Sequence, residues 1–420
     1  MAEAVALVAL AACLAAAVQR SRRAPDWAVA AGAALALVAL GVLSAGSARA
    51  AVSELAPTVG FLAALLVLAD GCRRAGMFDA LGQAMALGAR GAPRRLLAMV
   101  FLAAIATTAV LSLDATIILL TPIVFATAAR LPSNPRPHVY ACSHLANTAS
   151  LLLPISNLTN LLAFHSSGLS FARFGALMAL PWLVALALEW LVLSRTFAGE
   201  LRRPARAAAS AGEIGTYQGT RAVRRPRLPV YALIVVALTL AGFAFSSLIG
   251  VAPVWIAAAG ALALSLRERP RARELALAAE PTFLVFVFGL GIVVRAAGEH
   301  GLSSAVDALL PGGSALPALL ATAAVSAVGA NLLNNLPATL IILPAAAANG
   351  PAAVLAMLIG VNAGPNLTYV GSLATLLWRR IVHAHEHDTD IGEFTRLGAL
   401  TVPLVLLGAT IALWLSVRVL

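Results

Sequence analysis

The sequence predicts an all-α polytopic membrane protein with an inverted repeat, comprising about ten crossing helices, two re-entrant hairpins and two broken helices. Three observations predict it. Of 420 residues, 61% are hydrophobic and only 11% charged, too few charges to cover a soluble surface. The basic residues are all arginine, gathered in loops between apolar segments. Two apolar segments, one in each half, carry matching polar interruptions.

The second interruption runs from Asn362 to Leu377 and includes Gly364-Pro365-Asn366. Proline and glycine break a helix there, and the freed backbone groups find no partners in hydrocarbon. Such a segment lines a protein-enclosed, wet cavity. The first interruption, Asn147 to Leu162, aligns with it without gaps, Asn147 on Asn362 and Leu158 on Leu373. Each follows a similar stretch, Ala115-Thr116 in one half and Ala338-Thr339 in the other.

In chain order, spans near 2–18, 27–45 and 56–70 lead to an interfacial helix at 74–92. Arg20, Arg22 and Arg23 follow the first span and set that loop in the cytoplasm. Residues 96–129 have arginines at both ends, hence a re-entrant hairpin with Ser112, Asp114 and Thr116 at its tip. The broken helix 139–164 crosses outward and 175–194 returns. Residues 195–228, rich in arginine, form a cytoplasmic linker between a first repeat, 1–194, and a second, 229–420.

The second repeat follows the same plan upside down. Spans near 229–247, 251–266 and 280–297 precede an interfacial segment at 299–311. A hairpin at 314–348 has Asn331, Asn334, Asn335 and Pro337 at its tip. The broken helix 352–378 crosses inward and the last span, 397–417, outward, with both termini outside the cell membrane. The net charge of +11 lies in these loops and calls for no nucleic acid. Cys13, Cys72 and Cys142 lack metal or redox spacing.

The candidate substrate and ion site gathers the amides and hydroxyls of tips and breaks. They are Thr116, Asn147, Ser150, Ser156, Asn157, Thr159 and Asn160 in the first repeat. In the second they are Asn331, Asn334, Asn335, Thr339, Asn362, Asn366, Thr368, Ser372 and Thr375. Asn157 and Asn160 are expected to meet Asn334 and Asn335. Asp114, the acid at a hairpin tip, is the candidate proton carrier, because a buried carboxyl in a membrane is costly and tends to be functional. Glu189, inside the sixth crossing, has pairing or snorkelling as its plainer role. His383, His385 and His387 read as a solvated turn rather than a metal site. No nucleophile motif accompanies His144, the histidine inside a span, so catalysis is not expected, nor any cofactor.

Leu113-Asp114 to Val124, Asn147 to Ser150, Ser156 to Asn160, Asn334 to Pro337 and above all Gly364 to Trp378 resemble the arsenical pump membrane protein family. That family belongs to an ion transporter superfamily with sodium–dicarboxylate symporters and citrate transporters. The resemblance implies efflux of arsenite or antimonite driven by proton antiport, a homodimer, and in some systems a soluble ATPase subunit. The alternative is transport of another small anion, or sodium–proton antiport.

Overall fold

The computed structural model describes residues 1–19, 25–129, 134–202, 228–384 and 390–420. The described residues are helices and turns, and seven helices are long and apolar enough to cross a membrane, with further apolar helices somewhat shorter.

The first repeat contains α1 (Ala2–Gln19), α2 (Asp26–Ala39), α3 (Ala45–Arg74) and α4 (Met77–Ala89). Its hairpin descends through α5 (Pro93–Val110) and returns through α6 (Leu113–Ala115), a π-turn and α7 (Thr121–Ala129). Its broken helix is α8 (Arg136–Thr148) and α9 (Leu158–Ser167), followed by α10 (Phe171–Thr196) and the short α11 (Ala198–Arg202). The second repeat runs α12 (Val230–Ile249), α13 (Pro253–Glu268), α14 (Ala272–Ala278), α15 (Pro281–Ala297) and α16 (Ser303–Leu309). Its hairpin is α17 (Leu316–Leu333) and α18 (Asn335–Ala348), its broken helix α19 (Pro351–Ala363) and α20 (Leu373–Ala384), its last helix α21 (Ile391–Val419).

The helix pairs α5/α7 and α17/α18, and the interruptions between α8 and α9 and between α19 and α20, lie in the segments that the sequence reads as hairpins and broken helices. The third and last spans are longer than expected. Ser44 starts α3 early by accepting from the Ser47 amide at 2.9 Å, and Asp390 starts α21 by accepting from Gly392 at 2.8 Å. The interfacial segment after α15 kinks at Gly301, whose φ of 112° needs glycine. Most of the linker, and His385 and His387, lie outside the described residues.

Helix packing obeys one pairing rule applied twice. α3 packs on α13 as α15 packs on α2, and α5 packs on α8 as α17 packs on α19. α9 meets α18 as α20 meets the return arm of the first hairpin, while α10 and α21 pair with each other. At the α15–α2 contact a Cβ on Gly289 would stand 2.7 Å from the backbone of Ala30, so glycine lets the helices touch.

Ion pairs sit at the bundle ends and link segments that the charge pattern puts on one side. Arg74 donates to Glu274 at 2.7 Å, and Arg136 pairs with both Glu200 and Glu393. Towards the other end of α3, Arg295 joins Glu54 to Glu299. Between them the outer faces expose Leu238, Leu248, Trp255 and Leu262, the apolar belt expected against lipid.

Candidate functional site

Both breaks share one local design. Asn157 and Ser372, at aligned positions, are extended (φ −154° and −144°) and cap the half-helices that begin at Leu158 and Leu373. The Asn157 carboxamide accepts from the Thr159 amide at 3.3 Å, and the Ser372 hydroxyl from the Ala374 amide at 3.2 Å. Two helix N-termini are thus set at the breaks, each bringing unpaired N–H groups and a partial positive charge.

Between the breaks lies a buried amide cluster. Asn362 donates to Oδ1 of Asn160 at 2.6 Å, and its own Oδ1 accepts from Asn157 at 2.8 Å and Thr159 at 2.7 Å. Across the pseudo-two-fold, Asn147 donates to Oδ1 of Asn366 at 2.9 Å and to Thr375 at 3.3 Å. Ser150 donates to the Asn147 carbonyl, and Asn160 donates to the Ser150 and Leu153 carbonyls. The Ser150 and Leu153 carbonyls at the first break are thus met by the Asn160 carboxamide.

The hairpin tips are stitched to the breaks. Asn331 donates to the Gly364 carbonyl at 2.8 Å and accepts from Thr368 at 2.7 Å. Asn334, at φ 79°, donates to the Val370 carbonyl at 2.9 Å. Ser156 ties the first break to Ala109 on α5, and Thr116 meets Thr108 at 2.7 Å. Thr339 turns back on the Asn335 carbonyl in its own helix. The hydrogen bonds of Asn157 and Asn160 go to Asn362 and to the first break, and that of Asn334 goes to the second break. The second hairpin thus grips its own break while the breaks grip each other.

Asp114 is half-buried beside Asn157 in a crevice of about 10 Å³ lined by leucines of α3 and α9. A second acid lies deeper in the bundle. Glu189 on α10 is 1% exposed and faces His144 Nδ1 at 3.1 Å, itself wholly buried. Its other oxygen accepts from Thr148 at 2.8 Å and Asn366 at 3.0 Å. The available signal was two titratable residues placed within spans and 45 positions apart.

A cleft of about 540 Å³ reaches inward from the Arg295 end, between α3, α9, α15 and α18. His165 and Ser166 line it on α9, and Leu340 and Pro344 on α18.

The profile of the citrate transporter family matches residues 13–365. The chain belongs to the citrate transporter family. The arsenical pump membrane protein of Escherichia coli K12 is 27% identical over 379 residues, covering 86% of each chain. That of Yersinia enterocolitica is also 27% identical, covering 93% of this chain and 94% of its own. The crystal structure of the Alcanivorax borkumensis YdaH transporter superposes with a TM-score of 0.57 at 17% identity, over 89% of this chain and 88% of that one. The broken helices and hairpins are therefore those of a multi-span membrane transporter, and relatives of this chain are named for arsenical pumping.

Proposed function

We propose that this protein exports arsenite or antimonite across the cell membrane in exchange for protons, with the amide cluster as the solute site. One observation carries the reading: among the described residues, the buried polar groups that join the two breaks are carboxamides and hydroxyls, with the Glu189–His144 pair beside them and no arginine. Arsenite near neutral pH is an uncharged trihydroxide. Three O–H groups need acceptors and donors in one small space, and Asn and Thr supply both. Asn147 Oδ1 is buried and has no hydrogen-bond partner among the described residues, an acceptor already aimed for use. Three buried thiols lie scattered on α1, α3 and α8, so the protein does not trap a thiophilic atom that it must release. The arsenical pump relatives support the same solute.

In this reading residues 1–194 and 229–420 are the two inverted repeats, residues 195–228 are the cytoplasmic linker, and both termini lie outside. The twofold pairing of α3 with α13 and of α15 with α2 supports the repeats. Transport proceeds by opening the hairpins alternately from the breaks, each tip releasing its own stitches.

Cells lacking arsenical efflux, with and without this chain, test the reading. Lower arsenite accumulation in the expressing cells is expected. Equal accumulation with the protein shown in the membrane overturns it.

A further inference from the structure

We propose that His144 and Glu189 together form the proton-binding site that drives exchange, and that Asn366 passes its state to the solute cluster. The inference rests on the exchange reading above.

The site is built from three elements. α8 supplies His144 and Thr148, α10 supplies Glu189, and the second break supplies Asn366. His144 and Glu189 side chains are 0% and 1% exposed. His144 Nε2 has no hydrogen-bond partner among the described residues, which leaves one ring nitrogen open for a proton or a water. The aligned positions of the second half, 359 and 363, hold Ile359 and Ala363 where the first has His144 and Thr148. Among the cluster amides, Asn147 and Asn362 fall on each other, whereas Asn157, Asn160 and Asn366 fall on Ser372, Thr375 and Leu151, and the acid–imidazole pair likewise has no counterpart in the second half.

Charge accounting favours a carrier. With neutral imidazole, the site holds one buried negative charge, which costs several kcal/mol even when partnered. Adding a proton to the ring turns it into an imidazolium–carboxylate pair of net zero charge. Releasing the proton restores the lone carboxylate, held by the Thr148 hydroxyl and the Asn366 amide. The loaded and empty states are thus both provided for.

Further polar groups lie along α8 toward one end of the bundle. Tyr140 lies one turn before His144 on α8 and donates to Glu393 at 3.3 Å, and Arg136 a further turn out pairs with Glu393 and Glu200. The groups facing the pair from its neighbours are these, with Tyr369 of the second break stacked on Phe394 at 4.4 Å. α19 carries no charged residue, and α5 none beyond Arg94 and Arg95 at its start. The positive-inside pattern makes that end cytoplasmic, the side where an exchanger sheds its proton.

Asn366 explains the coupling. Its Nδ2 donates to Glu189 and Thr148 while its Oδ1 accepts from Asn147. A bare carboxylate holds that amide, and with it the carbonyl that faces Asn147. Proton loading gives the carboxylate a stronger donor and loosens the hold, disturbing the solute cluster. Proton and solute then oppose each other, as exchange requires.

Glu189→Gln tests this without emptying the site. Glutamine can still accept from Thr148 and Asn366, and its Nε2 can donate to a neutral His144. The purified full chain is placed in liposomes with a pH-sensitive dye, and arsenite is the probe. In wild type an arsenite gradient should drive opposite proton movement. Glu189→Gln should lose that movement by roughly tenfold or more while keeping arsenite–antimonite counterflow, and His144→Gln should match it. Full proton movement in Glu189→Gln, or its loss only in Asp114→Asn, overturns the assignment. Absence of arsenite-linked proton flow in wild type would instead sink the exchange reading. The site is then judged by ¹⁵N-histidine NMR across a pH titration: a His144 signal should titrate, with its midpoint displaced in Glu189→Gln. A His144 ring that does not titrate overturns the inference on its own.

Discussion

Asn362 and Asn160 share a hydrogen bond of 2.6 Å, donated by Asn362, and the residues aligned with them, Asn147 and Thr375, are also bonded, at 3.3 Å. Positions 215 apart therefore exchange partners across the two breaks. Two unrelated helices that merely tolerate polar residues would have no reason to pair in this reciprocal way. The relation also explains why the broken segments are buried so completely: each repeat's break is covered by the other.

Asn362→Leu should remove the centre of this exchange. Leucine leaves Asn157, Thr159 and Asn160 without their buried partner. Each unsatisfied group costs about 1–3 kcal/mol. The variant should insert but melt at lower temperature in detergent and lose arsenite–antimonite counterflow. Unchanged melting would mean that water already satisfies those groups.

Gly398→Ala should damage transport from outside the polar cluster. A Cβ on Gly398 would stand 2.2 Å from the Asn366 carbonyl and 2.7 Å from the Leu367 Cα. Both are backbone atoms, so neither can swing aside, and the second break must shift instead. Overpacking of this kind costs about 1–3 kcal/mol. Counterflow measured beside membrane abundance should show reduced transport at normal insertion. Wild-type flux in this variant would show that Asn366 tolerates displacement.

Much of this was legible in the chain. The hairpins and breaks could be read because Pro154, Pro365 and the Asn–Thr runs interrupt apolar stretches, a local signal in sequence. Helix ends were less legible, since the caps Ser44 and Asp390 lie in polar stretches that hydropathy discards. Partnership across repeats was partly visible through the gapless alignment. The Glu189–His144 pair was not visible, because the contact joins α10 to α8 and no spacing rule connects them. Nor did the sequence show that Asn157 and Asn160 turn to Asn362, a choice fixed by how the two broken helices cross.

Sidedness can be measured with cysteine probes. The native thiols, Cys13, Cys72 and Cys142, are buried and should react slowly with an aqueous reagent. Ala348→Cys at the end of α18 should label from outside intact cells, whereas Ser210→Cys in the linker should not. Outside labelling at position 210 would overturn the opposed repeats.

Citrate should neither compete with arsenite nor be carried. The family profile makes it the natural rival, and charge sets it apart from arsenite. Near neutral pH citrate is largely a trianion. Taking carboxylates out of water costs several kcal/mol per ion even after relaxation, unless cations or many donors replace the hydration. The cluster offers Asn147, Asn160, Asn362, Asn366 and Thr375, all neutral, and Glu189 beside them opposes an anion. Arg295, the cation lining the cleft, is already shared by Glu54 and Glu299. Two helix N-termini add partial charges of about +0.5 each, short of three full negative charges. A neutral trihydroxide meets none of these penalties. In liposomes, a large excess of citrate should therefore leave arsenite–antimonite counterflow unchanged, and labelled citrate should not enter. Inhibition together with citrate uptake would show that the helix ends suffice for an anion, and the neutral-solute reading would fall.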